Sequence, residues 1–225
     1  MNKKFTELAK KSKVIVIKVG SNILVNEKHV LRKKWLTSLI EDVQKLQKKG
    51  SKIIIVSSGA IALGRNILSK KKLTNLHEKQ AAASIGQIQL SQQWQKAFAK
   101  FNIQSSQILI TAEDLNERRK YLNIRNTIYS LMDLNVVPII NENDTTSTEE
   151  IRFGDNDKLS AMIANALSAE LLILLSDVNG LYTANPKKST DAKLITSVEE
   201  VDQEIEKYID KDLSEFGSGG MLAKV

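Results

Sequence analysis

The feature that most constrains this chain is a recurring phrase: a short β-branched apolar run ending in serine, glycine or acid-amide residues, then a stretch with helical spacing. "KVIVIKVGS" ends at Gly20 and Ser21 and reads as a strand buried on both faces. "LRKKWLTSLIEDVQKLQKKG" then sets Leu36, Leu39, Ile40, Val43 and Leu46 at helical spacing and stops at Gly50. "KIIIVSSGA" repeats the first pattern, so the two strands should be parallel neighbours joined by a crossover helix. The alternation continues with a helix from about Glu78 to Phe101, the strand "IQSSQILIT", the helix "RKYLNIRNTIYSLMDLN", the strand "VVPIIN", a helix after Asp157 and the strand "AELLILLSD". Strand and helix in turn imply an α/β fold, doubly wound, with a largely parallel central sheet between helical layers. Ligands in such folds sit beyond the carboxyl ends of the strands, which here read "KVGS", "VSSGA", "INEND" and "LLSDVNG". Only Pro138 and Pro186 interrupt the chain, and no linker or repeat divides it, so residues 1–225 read as one domain.

Composition removes several chemistries. With no cysteine, the chain has no disulfide, thiolate nucleophile or Cys-based metal site, and His29 and His77 are its only histidines. No metal ligand set is expected. A formal charge of +7 could suggest an anionic polymer as partner, but the lysines are spread through "LRKKW", "QKLQKKG", "SKKKLT" and "NPKKST", and aromatic content is 5%. A nucleic-acid partner is not expected. The longest apolar runs fall far short of the roughly 20 residues of a membrane span. The opening "MNKKFTELAKKSK" has no apolar signal-peptide core, so a cytoplasmic protein with no membrane association is expected.

Glycines after strands suit phosphate binding, because backbone N–H groups and helix N-termini can approach an anion there. The familiar nucleotide motifs are missing: there is no "GxxxxGK[ST]", "GSGGML" lacks the third glycine of a dinucleotide fingerprint, and the protein-kinase signatures are absent. "GDNDKL" lacks the glycine and distant glutamate of a calcium loop. What remains is Lys18 inside an apolar strand, where a charge needs an anionic counterpart, and Lys224 after a glycine cluster. The plainer reading of Lys18 is an edge lysine that guards the sheet. Between Ile140 and Leu167 the basic chain also gathers Glu142, Asp144, Glu149, Glu150, Asp155 and Asp157, interleaved with Asn141, Asn143 and Asn156. Asp155 suits a helix cap, and Glu149 and Glu150 read as loop surface.

"KVGSNIL", "IVSSGAIALG", "YLNIRNT", "VVPIINENDTTS", "FGDNDKLSA", "LLILLSDVNGLYTANP" and "FGSGGMLAK" occur in this order and at compatible spacing in the amino-acid kinase family, which the chain resembles from about Lys13 to its end. "INEND" with "FGDND" resembles the members that act on glutamate. The resemblance implies the family's three-layer αβα sandwich and ATP-dependent phosphorylation of the γ-carboxylate of L-glutamate, the first step of proline biosynthesis. ATP and Mg2+ are then the expected cofactors, L-glutamate the substrate and L-proline a feedback inhibitor. A homo-oligomer, dimer or tetramer, is expected, with Asp114 to Asn126 as an interface or regulatory loop.

By resemblance, Lys18 and Lys224 flank the transferred phosphoryl group and Asp157 orients both lysines. Gly20 and Gly59 belong to the phosphate loops. Ser58, Asp144 and Asn156 match substrate-binding positions, with Asn141 and Asn143 as supports. Ser176 and Asp177, with Ser218, Gly219, Gly220, Met221, Leu222, Ala223 and Lys224, match nucleotide contacts. Serine replaces the family's usual threonine at Ser21, Ser176 and Ser218, and Ala223 stands where another threonine is usual. Family members continue past the second lysine, and many add a PUA domain, so a missing C-terminal portion is also expected. Two other readings remain open: a sister kinase for another carboxylate, and a truncated non-catalytic protein that binds nucleotide or amino acid.

Overall fold

The structure is a computed structural model that describes residues 3–69, 72–147, 155–186, 189–203, 205, 206 and 208. Its centre is a sheet of β1 (Val14–Val19), β2 (Lys52–Ser57), β3 (Ser105–Ile110), β4 (Val137–Glu142) and β5 (Leu171–Leu175), in the order β3-β4-β2-β1-β5. All four pairings are parallel, and β1 and β2 are the expected neighbours. Helices α1 (Lys3–Lys11), α2 (Ser21–Leu24), α3 (Lys33–Gln47), α4 (Ala60–Ile67), α5 (Leu76–Ala99), α6 (Ala112–Asn116), α7 (Arg118–Asp133) and α8 (Asp155–Ala166) alternate with the strands. A short antiparallel ribbon, β6 (Leu181–Tyr182) with β7 (Leu194–Ile195), follows the sheet.

The two-residue period of the strands divides the core into two layers. Ile15, Ile17, Val19, Ile53, Ile55, Val137 and Ile139 pack on one face against Leu36, Ile40 and Val43 of α3 and Leu90, Trp94 and Phe98 of α5. Val16, Ile54, Val56, Ile110 and Ile140 pack on the other against Ile128 and Met132 of α7 and Leu159 and Ile163 of α8. The three-layer αβα arrangement is therefore as expected. Pro138 sits near the start of β4, and pairing with β2 begins only at Ile139, after the residue that lacks an N–H.

Two local features differ from the sequence reading. Helix α5 begins at Leu76, before the expected Glu78, because the Asn75 side chain accepts the Glu78 N–H at 2.9 Å and caps the helix. The span Asp114 to Asn126, named as an interface or regulatory loop although a helix was expected from Arg119, lies in α6 and α7 apart from the junction between them, so helix is already present before Arg119. Its folding is local: Thr111 and Asp114 form a reciprocal capping box, which continues the chain as helix directly after β3.

Helices α4 and α5 cross through glycine. A Cβ on Gly64 would lie 1.7 Å from the Ala82 carbonyl oxygen, and one on Gly86 would lie 1.8 Å from that of Ala60. Neither distance is physical, so the backbones meet with no side chain between them. This close approach sets the height of α5 over the carboxyl end of β2. Gly86→Ala should force the helices apart and cost about 1–3 kcal/mol in urea unfolding, whereas Gln92→Ala on the exposed face of α5 should change stability by less than about 0.5 kcal/mol.

At the opposite end of the sheet, the Glu170 carboxylate accepts the N–H groups of Val14 at 2.7 Å and Lys13 at 3.1 Å, and the Glu170 N–H returns to the Val14 carbonyl. These bonds, Val14 first, hold the carboxyl below its usual pKa. A carboxyl depressed in the folded state stabilises above its unfolded pKa, and the gain is lost as pH falls through the folded value. The wild type should thus melt higher than Glu170→Gln at ~pH 7, with the gap closing by ~pH 3 in a series of thermal melts.

Candidate active site

The carboxyl ends of β1, β2, β4 and β5 deliver the polar residues singled out in the sequence to one edge of the sheet. Lys18 is in β1, aligned with Val56 of β2 and Leu174 of β5. It is therefore on an interior strand, and the edge-lysine alternative is set aside. Alternation turns Lys18 to the face of Val16, which α8 covers. There Lys18 Nζ meets Asp157 Oδ1 at 2.5 Å, with the two residues 7% and 4% exposed. Either charge alone would be costly to bury this deeply, and the pairing offsets that cost.

The adjoining turns leave room beside this ammonium. A Cβ on Gly20 would lie 3.7 Å from Lys18 Nζ and 3.3 Å from the Leu175 carbonyl oxygen. Helix α2 starts at the next residue. The Gly20 N–H itself goes to Leu175 O at 3.3 Å, so it holds the turn against β5 and is not directed at an anion, contrary to the simplest expectation for a phosphate-loop glycine. Gly59 caps α4 with φ at 114°, a left-handed conformation that a side chain would strain. That turn lets α4 begin directly after Ser58. Helices α2 and α4 thus both start just beyond the carboxyl ends of β1 and β2, beside Lys18 and Ser58.

On the other side of β2 lies a chain of amides. Asn156 Nδ2 donates to Ser58 Oγ at 2.9 Å and to Asn141 Oδ1 at 3.1 Å, and Asn141 Nδ2 donates to Gln87 Oε1 at 2.8 Å. Asn141 is on the face of β4 that α5 covers, continuing the Val137, Ile139 alternation, and is buried. Trp94, two helical turns beyond Gln87 on α5, donates Nε1–H to Ser57 Oγ at 2.9 Å. Gln80, two turns before it, donates to the Ser147 carbonyl at 3.1 Å.

That second glutamine steadies the turn after β4. The Asn143 N–H bonds to Ile110 O, its Oδ1 accepts the Thr145 hydroxyl at 2.7 Å, and its carbonyl receives the N–H groups of Thr146 and Ser147. Asp144 is half-buried within this turn. Beyond β5, Ser176 Oγ accepts the Val178 N–H at 3.3 Å, and Asp177 is exposed. The β1–β5 register places both immediately past the level of Val19, next to the Gly20 turn.

The structure therefore joins Lys18 to Asp157 and Ser58 to Asn156, with Gly20, Gly59, Ser176 and Asp177 on adjoining strand ends. Ser218 through Lys224 lie outside the described residues, as do Glu149 and Glu150. Gln80, Gln87 and Trp94 were not anticipated. Their signal in the sequence is the seven-residue spacing along the glutamine-rich "KQAAASIGQIQLSQQWQ", which puts all three on one helical face. Lys18→Met should leave the Asp157 carboxylate buried and unpaired, lowering stability in urea unfolding by about 3–5 kcal/mol, with much of the loss recovered in Lys18→Met/Asp157→Leu.

Comparison with known proteins places this geometry in a family. The chain is 50% identical over 217 residues to a glutamate 5-kinase of Pelagibacter ubique, covering 96% of this chain and 59% of that protein. A glutamate 5-kinase of Nitrosospira multiformis is 48% identical over 217 residues, covering 96% and 58%. One from Brucella abortus is 50% identical over 212 residues, covering 94% and 56%. The chain thus spans 56–59% of the length of these relatives. Among solved structures, an isopentenyl phosphate kinase of T. acidophilum aligns with TM-score 0.62 at 15% identity, over 93% of this chain and 87% of that one. A UMP kinase of Bacillus anthracis aligns with TM-score 0.57 at 17% identity, over 81% and 72%. Those two likenesses concern the fold. The family model described as "Amino acid kinase family" matches residues 13–225, and the chain belongs to that family.

Proposed function

We propose that the chain transfers the γ-phosphoryl group of ATP to the γ-carboxylate of L-glutamate, giving γ-glutamyl phosphate and ADP. The observation that carries this reading is at the start of α8. Asp157 pairs with Lys18, and its neighbour Asn156 bonds to Ser58, so one helical turn joins a cationic group to an amino-acid-sized set of polar groups. Glutamate 5-kinases about half identical over nearly the whole chain support the same choice of acceptor.

The chemistry asks little of the protein beyond position and charge. The γ-carboxylate is ionised near pH 7 and needs no base. One of its oxygens forms the new bond to Pγ while the bond from Pγ to the β,γ-bridging oxygen breaks, and the electron pair leaves with ADP. Lys18 neutralises charge on the equatorial oxygens, and Asp157 holds that ammonium in place. The opening at Gly20 beside Lys18 Nζ fits a phosphoryl group where a Cβ would crowd it. Lys224 is proposed as the second cation, and Ser176, Asp177 and residues 218–224 as the nucleotide side. Magnesium, entering with ATP, supplies further charge neutralisation on the phosphate oxygens; hard oxygen donors suit it.

For the acceptor, the Ser58 hydroxyl, the amides of Asn156 and Asn141, and the Asp144 carboxylate suit a ligand with both an ammonium and a carboxylate. No described helix is long and apolar enough to cross a membrane. A cytoplasmic location, a place at the start of proline biosynthesis, feedback inhibition by L-proline and assembly as a dimer or tetramer belong to the same proposal, supported by the family resemblance.

Incubation with ATP, magnesium and hydroxylamine tests it directly. L-glutamate should yield hydroxamate well above the level with L-aspartate, and no hydroxamate from a folded sample overturns the proposal. Asp157→Asn, which keeps an oxygen beside Lys18, should lower kcat by about 10²–10³-fold while its thermal unfolding stays cooperative.

A further inference from the structure

A chain of side-chain amides has a direction, because each amide donates from nitrogen and accepts at oxygen. Here the direction starts on α5. Gln87 Oε1 accepts from Asn141 Nδ2, which leaves Asn141 Oδ1 to accept from Asn156 Nδ2. The same Asn156 nitrogen also donates to Ser58 Oγ. With its nitrogen engaged twice, Asn156 presents its oxygen, and Oδ1 is a buried acceptor with no partner among the described residues. Ser58 Oγ, having accepted from Asn156, retains its own proton for donation. One free acceptor therefore stands beside one free donor, the complement of an α-ammonium and a carboxylate. Reversing the chain would aim an amide N–H at the ammonium.

We infer that Gln87 is a positioning residue that sets this direction, and so fixes the preference of the acceptor site for a zwitterionic amino acid. The inference rests on the acceptor assigned under Proposed function. It concerns a residue that touches neither substrate nor phosphate: Gln87 acts through Asn141 on Asn156. The half-buried Gln87 and the buried Asn141 also both line a cavity of about 210 Å3, together with Ser57, Ser91, Trp94 and Ser106, between α5 and strands β3 and β4. That space is large enough to hold water. Without the Gln87 amide, water would compete for Asn141 and release the direction of the chain. The glycine crossing of α4 and α5 helps keep Gln87 in place, since Gly86 is the adjacent residue.

Two substitutions separate this role from simple packing. Gln87→Met keeps the length of the side chain but removes the acceptor. Gln87→Glu can only accept, so it preserves the direction described and would break the opposite one. In the intact protein, Gln87→Met should raise KM for L-glutamate about tenfold, with kcat and KM for ATP within about twofold, and Gln87→Glu should restore KM to within about threefold. An unchanged KM in Gln87→Met, or a Gln87→Glu variant as impaired as Gln87→Met, overturns the inference. Side-chain amide NMR of the ligand-free protein decides the same point without turnover. The Asn156 signals should shift and the Asn141 amide should exchange faster in Gln87→Met, and both should return in Gln87→Glu. Unchanged amide signals in Gln87→Met overturn the positioning role even if the wild type is active. Absence of hydroxamate from the wild type counts only against the choice of acceptor.

Discussion

A lysine inside a five-stranded sheet cannot be left alone. Lys18 is 7% exposed on an interior strand, and a bare ammonium there would oppose folding by several kcal/mol. Asp157 removes that penalty, and in doing so it fixes where α8 begins, since its carboxylate must reach over the carboxyl end of β1. Once the first turn of α8 is pinned, Asn156 has one place to go. Successive helical side chains diverge by about 100°, so a single turn sends the carboxylate to Lys18 and the amide towards Ser58. The spacing between the two halves of the site follows from the pitch of a helix and from one charge pair.

The second support is α5. Its glycine contact with α4 leaves no gap to adjust, so the face bearing Gln80, Gln87 and Trp94 is held against the sheet and the turn after β4. Core packing and site geometry are thereby coupled: Trp94 and Phe98 stack in the core at 5.9 Å between centroids, and the same helix holds Asn141 and the Ser147 carbonyl.

Much of the fold was legible because its signals are periodic and strong. Apolar strands ending in glycine or serine and helices with a clear apolar stripe could hardly arrange themselves otherwise. Lys18 could be singled out because charge in an apolar run is costly, and Asp157 was matched to it by resemblance, but the edge-strand alternative fell only to the observed register of β1 with β5. Gln87 and Gln80 were hidden for another reason. A half-buried glutamine on a polar-looking helix has no characteristic pattern, and its meaning depends on which strand residue lies beneath it. Gly64 and Gly86 likewise read as weak points in helices until the backbone contact shows what they permit. The helix expected from Arg119 is there as α7, but the short helix before it was not anticipated, because its capping box, Thr111 with Asp114, joins two polar segments with little apolar contrast.

The bond from Trp94 to Ser57 has a practical consequence. The chain has two tryptophans, and they occupy unlike surroundings: Trp94 is fully buried, while Trp35 on α3 is half-buried. An indole sealed from water emits at shorter wavelength than one that solvent can reach, so the two can be told apart in one emission spectrum. Because the shorter-wavelength indole is tethered to the residue before Ser58, the end of β2 carries its own unlabelled optical probe.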